Sequence, residues 1–160
     1  MGIQFETDYN METLTAMAKG LRKTVRKKRS RRVHIFAAVV LILGLLTILA
    51  TTAGGEPLGA SGVVTLLAML VVILVSLFED RLNAWFARKR LLPGTEHAAA
   101  TFEEDGYVSA TGVTESRFSY AQIVAVAETA RYFVFALSSH HTQAYDKRTI
   151  RGGSVEDFRA

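Results

Sequence analysis

Hydrophobic and polar positions follow three different patterns along this chain. Ile3-Gln4-Phe5-Glu6 alternates apolar and polar residues, the period-two pattern of a short strand. Met11, Leu14, Ala18, Leu21 and Val25 recur at spacings of three and four, which places them on one stripe of a helix. Asp8 or Asn10 can cap that helix, and Glu12 sits near its positive end. Gly20 interrupts it at mid-length and argues against one rigid rod. Residues 33–53 and 58–78 show no polar face at all, and neither run holds a Lys, Arg, Asp or Glu. At 1.5 Å per residue, a helical run of about 21 residues is roughly 31 Å long, against a bilayer core of roughly 30 Å. The two runs are separated by Gly54-Gly55-Glu56-Pro57 and therefore predict a tight transmembrane hairpin.

After the second run, residues 79–92 keep helical propensity, with Leu82, Trp85 and Phe86 on one side, until Pro93-Gly94 breaks the helix. The rhythm then shortens to strands separated by turn residues. Strands are expected over 98–102, 107–111, 115–120, 123–129, 131–137 and 142–147. Glu104-Asp105-Gly106 reads as a turn whose glycine supplies a positive φ, and Ser138 to His141 as a hairpin tip. Arg151-Gly152-Gly153 is a further turn, and Ser154 caps a final helix with Asp157 at capping-box spacing. Closely spaced strands closed by a helix predict a strongly bent antiparallel sheet. The closing helix is short, so the stripe of 11–25 is a candidate cover for the open end, and strand 3–6 a candidate addition to the sheet.

The expected fold class is therefore an α+β membrane protein, a two-helix transmembrane hairpin plus a small cytoplasmic antiparallel-β domain. Four segments follow: a strand and basic amphipathic helix at 1–32, the hairpin at 33–78 (33–53 and 58–78), a membrane-proximal helix at 79–93, and a β domain at 94–160.

Charge orients the hairpin. The net charge is +4, but residues 1–32 carry nine basic and three acidic groups, whereas 94–160 carry six basic and nine acidic ones. Basic residues flank both outer ends of the hairpin and none lies in its loop, where Glu56 stands alone. The positive-inside rule then puts both termini in the cytoplasm of a multi-pass cell-membrane protein. The candidate membrane-surface set is Arg22, Lys23, Arg26, Lys27, Lys28, Arg29, Arg31 and Arg32 before the hairpin, and Trp85, Arg88, Lys89 and Arg90 after it. Trp85 reads as an interfacial anchor, and the bases suit an anionic inner leaflet, each contributing about 1 kcal/mol. The high pI is concentrated in this flanking cluster and does not signal nucleic-acid binding. His34, at the start of the first run, belongs at headgroup level.

The chain contains no cysteine, which excludes disulfides, thiol catalysis and thiolate metal sites. No phosphate-binding glycine loop, nucleophile elbow or zinc-protease motif is present. His140-His141 are adjacent, so on a strand they point to opposite faces, and Glu103-Glu104-Asp105 lacks the ligand spacing of a calcium loop. Thr47, Thr51, Thr52, Ser61, Thr65 and Ser76 are too few for an ion pathway. Glu128, beside Thr129 and near Arg131, reads as a structural ion pair. Lys147, Arg148 and Arg151 form a small basic rim that could meet a partner. No enzyme activity and no cofactor are expected.

Several of these segments resemble a known family. Thr101-Phe102-Glu103-Glu104-Asp105-Gly106, Phe118-Ser119-Tyr120-Ala121-Gln122-Ile123 and Val126-Ala127-Glu128-Thr129 are similar to the YcxB-like family of small bacterial membrane proteins. Lys147-Arg148 and Asp157-Phe158-Arg159 match that family's later motifs, with Asp146 where it usually has a proline. The resemblance extends to the N-terminal strand and helix and both spans. It implies a pleckstrin-homology-like (PH-like) domain carried on a membrane hairpin, and it implies no particular activity. The expected function is a non-enzymatic membrane protein presenting an interaction domain to an unidentified protein partner. The alternatives are a toxin-immunity-type protein acting through its spans, or an accessory subunit of a membrane complex. Gly44, Gly54, Gly59 and Gly62 would permit close helix contact and hence an oligomer.

Overall fold

A computed structural model describes residues 2–55 and 57–160; Glu56, the acidic residue expected in the hairpin loop, lies outside the described residues. The architecture is α+β and divides into two units, residues 1–27 with 80–160, and residues 28–79.

In the first unit, strand β1 (Ile3–Asp8) leads through the N-cap Asn10 into helix α1 (Met11–Lys23). Asn10 Oδ1 accepts from the backbone N–H groups of Glu12 and Thr13, which satisfies two of the helix's unpaired donors. Helix α2 (Lys27–Ala53), α3 (Ala60–Leu77) and α4 (Glu79–Lys89) follow, then strands β2 (His97–Phe102), β3 (Gly106–Thr111), β4 (Glu115–Ser119), β5 (Ala125–Glu128), β6 (Tyr132–Ala136) and β7 (Thr142–Asp146), and a last helix α5 (Val155–Arg159). The strands form two antiparallel sheets ordered β1-β2-β3-β4 and β5-β6-β7. β1 pairs with β2 along its whole length, from Ile3 opposite Phe102 to Asp8 opposite His97. This pairing is the expected addition of strand 3–6 to the sheet, extended to Asp8. The N-terminal strand and helix are parts of the β domain, because β1 supplies an edge of the first sheet and α1 packs on β5, β6 and β7.

The core is aromatic. Phe5, Phe102, Tyr107, Phe133, Phe135 and Tyr145 are buried together, and Phe158 of α5 meets Phe5 and Phe102 edge-on, each with ring centroids 4.7 Å apart. Such edge-to-face pairs add about 0.5–1.5 kcal/mol beyond area burial. A second cluster, Tyr132, Val134 and Ala144, receives Ala16 and Met17 of α1. Gly20 lets α1 approach this sheet closely, since a Cβ there would come within 2.7 Å of Val134 Cγ1. The mid-helix glycine is thus a contact point and not a weakness.

The Asp105-Gly106 turn differs from the one expected. Gly106 does not have a positive φ; the glycines that do are Gly55, Gly94 and Gly152. Gly106 is needed instead for close backbone approach, because a Cβ would fall 2.3 Å from the Phe118 carbonyl oxygen on β4. Ser154 and Asp157 form the expected capping box at α5.

The second unit holds α2 and α3, both long and apolar enough to cross a membrane, with none of their apolar windows buried. α2 begins at Lys27, so the basic cluster is itself helical and continuous with the apolar run. Thr47, Thr51, Thr52 and Thr65 bond back to carbonyls within their own helices, which satisfies their hydroxyls without a partner helix. Gly44 faces Met69, where a Cβ would lie 2.8 Å from the sulfur. At the polar end, His34 Nδ1 lies 2.8 Å from the Ser30 carbonyl and Ser30 Oγ donates to Glu79 at 3.4 Å.

Candidate functional site

The residues expected at a membrane surface divide into two groups. Lys23, Lys27, Lys28, Arg29, Arg31, Arg32, Trp85, Arg88, Lys89 and Arg90 are exposed. Lys89 places its ammonium 3.6 Å from the Trp85 ring centroid, a cation–π contact along α4. Leu82, Trp85 and Phe86 are exposed, while Ala84 on the opposite face is fully buried. Arg22 and Arg26 have other partners. Arg22 makes a bidentate pair with Asp80 at 2.7 and 2.8 Å, which ties α1 to the start of α4. Arg26 donates to the Ser139 carbonyl at 2.7 Å and lies 3.2 Å from His140 Nδ1, at the β6–β7 hairpin tip.

The basic rim at the end of β7 is already neutralised within the domain. The Lys147 side chain is only 10% exposed. Its ammonium donates to Glu128 and to the Thr129 carbonyl, over the Phe133 ring. Arg148 pairs with Asp146 at 3.0 Å and Arg151 with Glu6 at 3.3 Å. Lys147 is therefore a packing residue, and only Arg148 and Arg151 extend toward solvent.

Glu128 does form an ion pair, with different partners from the neighbour its sequence position suggested. Arg159 and Lys147 both donate to it, and these two bonds hold its carboxyl down at about 2. Arg131 instead bridges Glu12 of α1 and Asp146 of β7. Asp146, with 7% of its side chain exposed, is the hub of this corner. Its carboxylate accepts from Arg131 Nε and Nη2 and from the backbone and guanidinium of Arg148. Its own N–H donates to Thr7 Oγ1 of β1 at 3.1 Å. Sequence reasoning missed this role. The available signal was an acid standing where the resembled family usually has a proline.

The described residues include an open strand edge and a cleft beside α5. β4 and β5 each have one hydrogen-bonded neighbour in the sheets, and Val124 and Val126 beside the β5 edge are 64% and 52% exposed. Next to α5, a cleft of about 640 Å³ is lined by Ile3, Phe102, Tyr120, Ile123, Phe135 and Phe158, with Glu103, Glu104 and Asp157 at its rim. Glu103 also receives the Tyr120 hydroxyl on its carbonyl and Arg117 on its carboxylate, so the acidic turn is tied to β4. Among the described residues, no group of three His, Asp or Glu side chains is placed to hold a metal ion.

Residues 102–160 match the family model described as YcxB-like protein. The match covers the strands from the end of β2 through α5, a narrower stretch than the whole-chain resemblance. No curated protein and no solved structure matches the chain.

Proposed function

We propose that this chain, YcxB-like over residues 102–160, is an integral membrane protein that holds a PH-like interaction domain at the cytoplasmic face of the cell membrane. The observation that carries the reading is the split composition of the β domain. β1 and α1 precede the two apolar helices, β2 to α5 follow them, and all of these fold as one unit. Both flanks must then share one side of any membrane the hairpin crosses. The basic residues on both flanks favour the cytoplasm for that side. Exposed apolar side chains along α2 and α3, such as Phe36 at 71% and Leu77 at 73%, form a surface that water disfavours and acyl chains satisfy.

Four antiparallel strands, three more, and a closing helix support the PH-like reading. The domain acts by binding and not by catalysis. Its partner is a protein segment added to the β5 edge, where backbone groups supply hydrogen bonds and Val124 and Val126 supply apolar contact. The membrane tether raises the effective concentration of this edge near membrane partners. The exposed bases and the Leu82, Trp85 and Phe86 face rest on anionic inner-leaflet lipid. No nucleic acid and no cofactor enter this account.

Photo-crosslinking in native membranes tests the reading. A crosslinker at Val126 is expected to capture a defined protein, while a crosslinker at Leu46 captures lipid alone. A protein captured from Leu46 and not from Val126 would place the function within the bilayer, as an immunity protein or complex subunit requires.

A further inference from the structure

A second cleft, of about 340 Å³, opens where β3 and β4 face β7 and α1. It is separate from the β5 edge, and its size lies at the lower end of the range for small-molecule pockets. Gln143, 7% exposed, forms part of its lining. The Gln143 Oε1 accepts from the Tyr107 hydroxyl at 2.8 Å and the Tyr145 hydroxyl at 2.6 Å, so its acceptor is used twice and its orientation is fixed. Its Nε2 donates to nothing in the protein. Among the described residues no fully enclosed side-chain N or O lacks a partner, so this amide nitrogen is reached from outside, through the cleft that Gln143 lines.

Tyr9 lines the same cleft, and its hydroxyl also makes no hydrogen bond. Burial pushes that phenol up to about 12, which keeps it a neutral donor at physiological pH. Leu14, Met17, Leu91 and Phe118 supply apolar walls. His141 stands exposed at the cleft, and no Lys, Arg, Asp or Glu lines it, so a cationic headgroup would lose its water without gaining a counter-charge. A buried glutamine and a partly buried tyrosine thus each turn a donor without a protein acceptor toward the cleft.

We infer that this cleft is a binding site for a small neutral molecule with an apolar body and a carbonyl-type acceptor oxygen, which accepts from Gln143 Nε2 and the Tyr9 hydroxyl. The site lies within one folded unit and does not depend on where α2 and α3 reside. The nearby hydroxyls of Ser109 and Thr142 can turn to accept from an amide headgroup. A ligand with a cationic amine in place of the carbonyl leaves Gln143 Nε2 and the Tyr9 hydroxyl without an acceptor and finds no carboxylate for its charge, so it binds more weakly.

The test uses the full-length chain in nanodiscs, with the Gln143 side-chain amide followed by NMR. Hexanamide is the probe, and hexylammonium, of matching chain length without an acceptor, is the comparison. Hexanamide is expected to shift the Gln143 amide saturably, and hexylammonium to leave it in place. Tyr9→Phe, which removes one oxygen, should weaken hexanamide about tenfold. Gln143→Glu, which keeps the acceptor for both tyrosines and loses both donors, should weaken it at least as much, as followed by the Tyr9 ring signals. Equal response to both probes would overturn the inference, as would unchanged affinity in Tyr9→Phe. An amide that hexanamide never moves would overturn it too, leaving the cleft as a water site.

Discussion

The carboxylate of Asp146 accepts from two nitrogens of Arg131 and three of Arg148, while its N–H reaches Thr7 on β1. Removing this buried carboxylate takes away five charge-assisted bonds at once and leaves Arg131, 27% exposed, with Glu12 as its remaining partner. Asp146→Ala is therefore expected to cost about 3 kcal/mol. Arg148→Ala should cost less than about 1 kcal/mol, because the Arg148 side chain is 64% exposed. Chemical denaturation of the two variants checks the contrast; equal losses would mean that Asp146 is not the centre of the network. Glu128 gives a pH signature. Its folded value, about 2, lies below the ordinary 4.5, so its contribution is complete above 4.5 and is lost as pH falls toward 2. Glu128→Gln should flatten the acid limb of stability in that window, and an unchanged slope would show that the pairing contributes nothing. The sequence identified Glu128 as ion-paired but suggested the wrong neighbour. Its partners come from β7 and α5, and no local spacing reveals that Arg131 turns toward Glu12 on α1.

Among the elements, the strands were legible from alternation and turn residues to within a residue or two, and the caps at Asn10 and Ser154 from residue type. β1 and α1 were legible as a strand and an amphipathic helix. Strand 3–6 was also legible as an addition to the sheet and the stripe as a cover, but the register of Ile3 opposite Phe102 was not, because about a hundred residues separate the two strands. The stripe reading also missed Gly20, where absence of a side chain is the contact. Gly20→Val should destabilise the chain by about 1–3 kcal/mol through overpacking against Val134, seen as a lower melting temperature. A stabilised variant would show that α1 does not sit on β6. Phe5→Ala, at a side chain 1% exposed in the centre of the aromatic cluster, should cost about 3–5 kcal/mol. A loss below about 1 kcal/mol by the same melting measurement would contradict β1 as a core strand.

At the scale of the whole molecule, the chain inserts two apolar helices between the first and second strands of one β domain. That arrangement constrains topology more strictly than charge counting does, because β1 and β2 cannot pair across a bilayer. The absence of native cysteine allows a clean test by single-cysteine labelling of intact cells with a membrane-impermeant maleimide. Lys23→Cys reports the flank before the hairpin, Thr114→Cys the flank after it, and Gly54→Cys the connecting loop. Gly54→Cys is expected to react on intact cells, while Lys23→Cys and Thr114→Cys react only after lysis. Labelling of the two flanks on opposite sides, or of all three positions on one side, would contradict this topology.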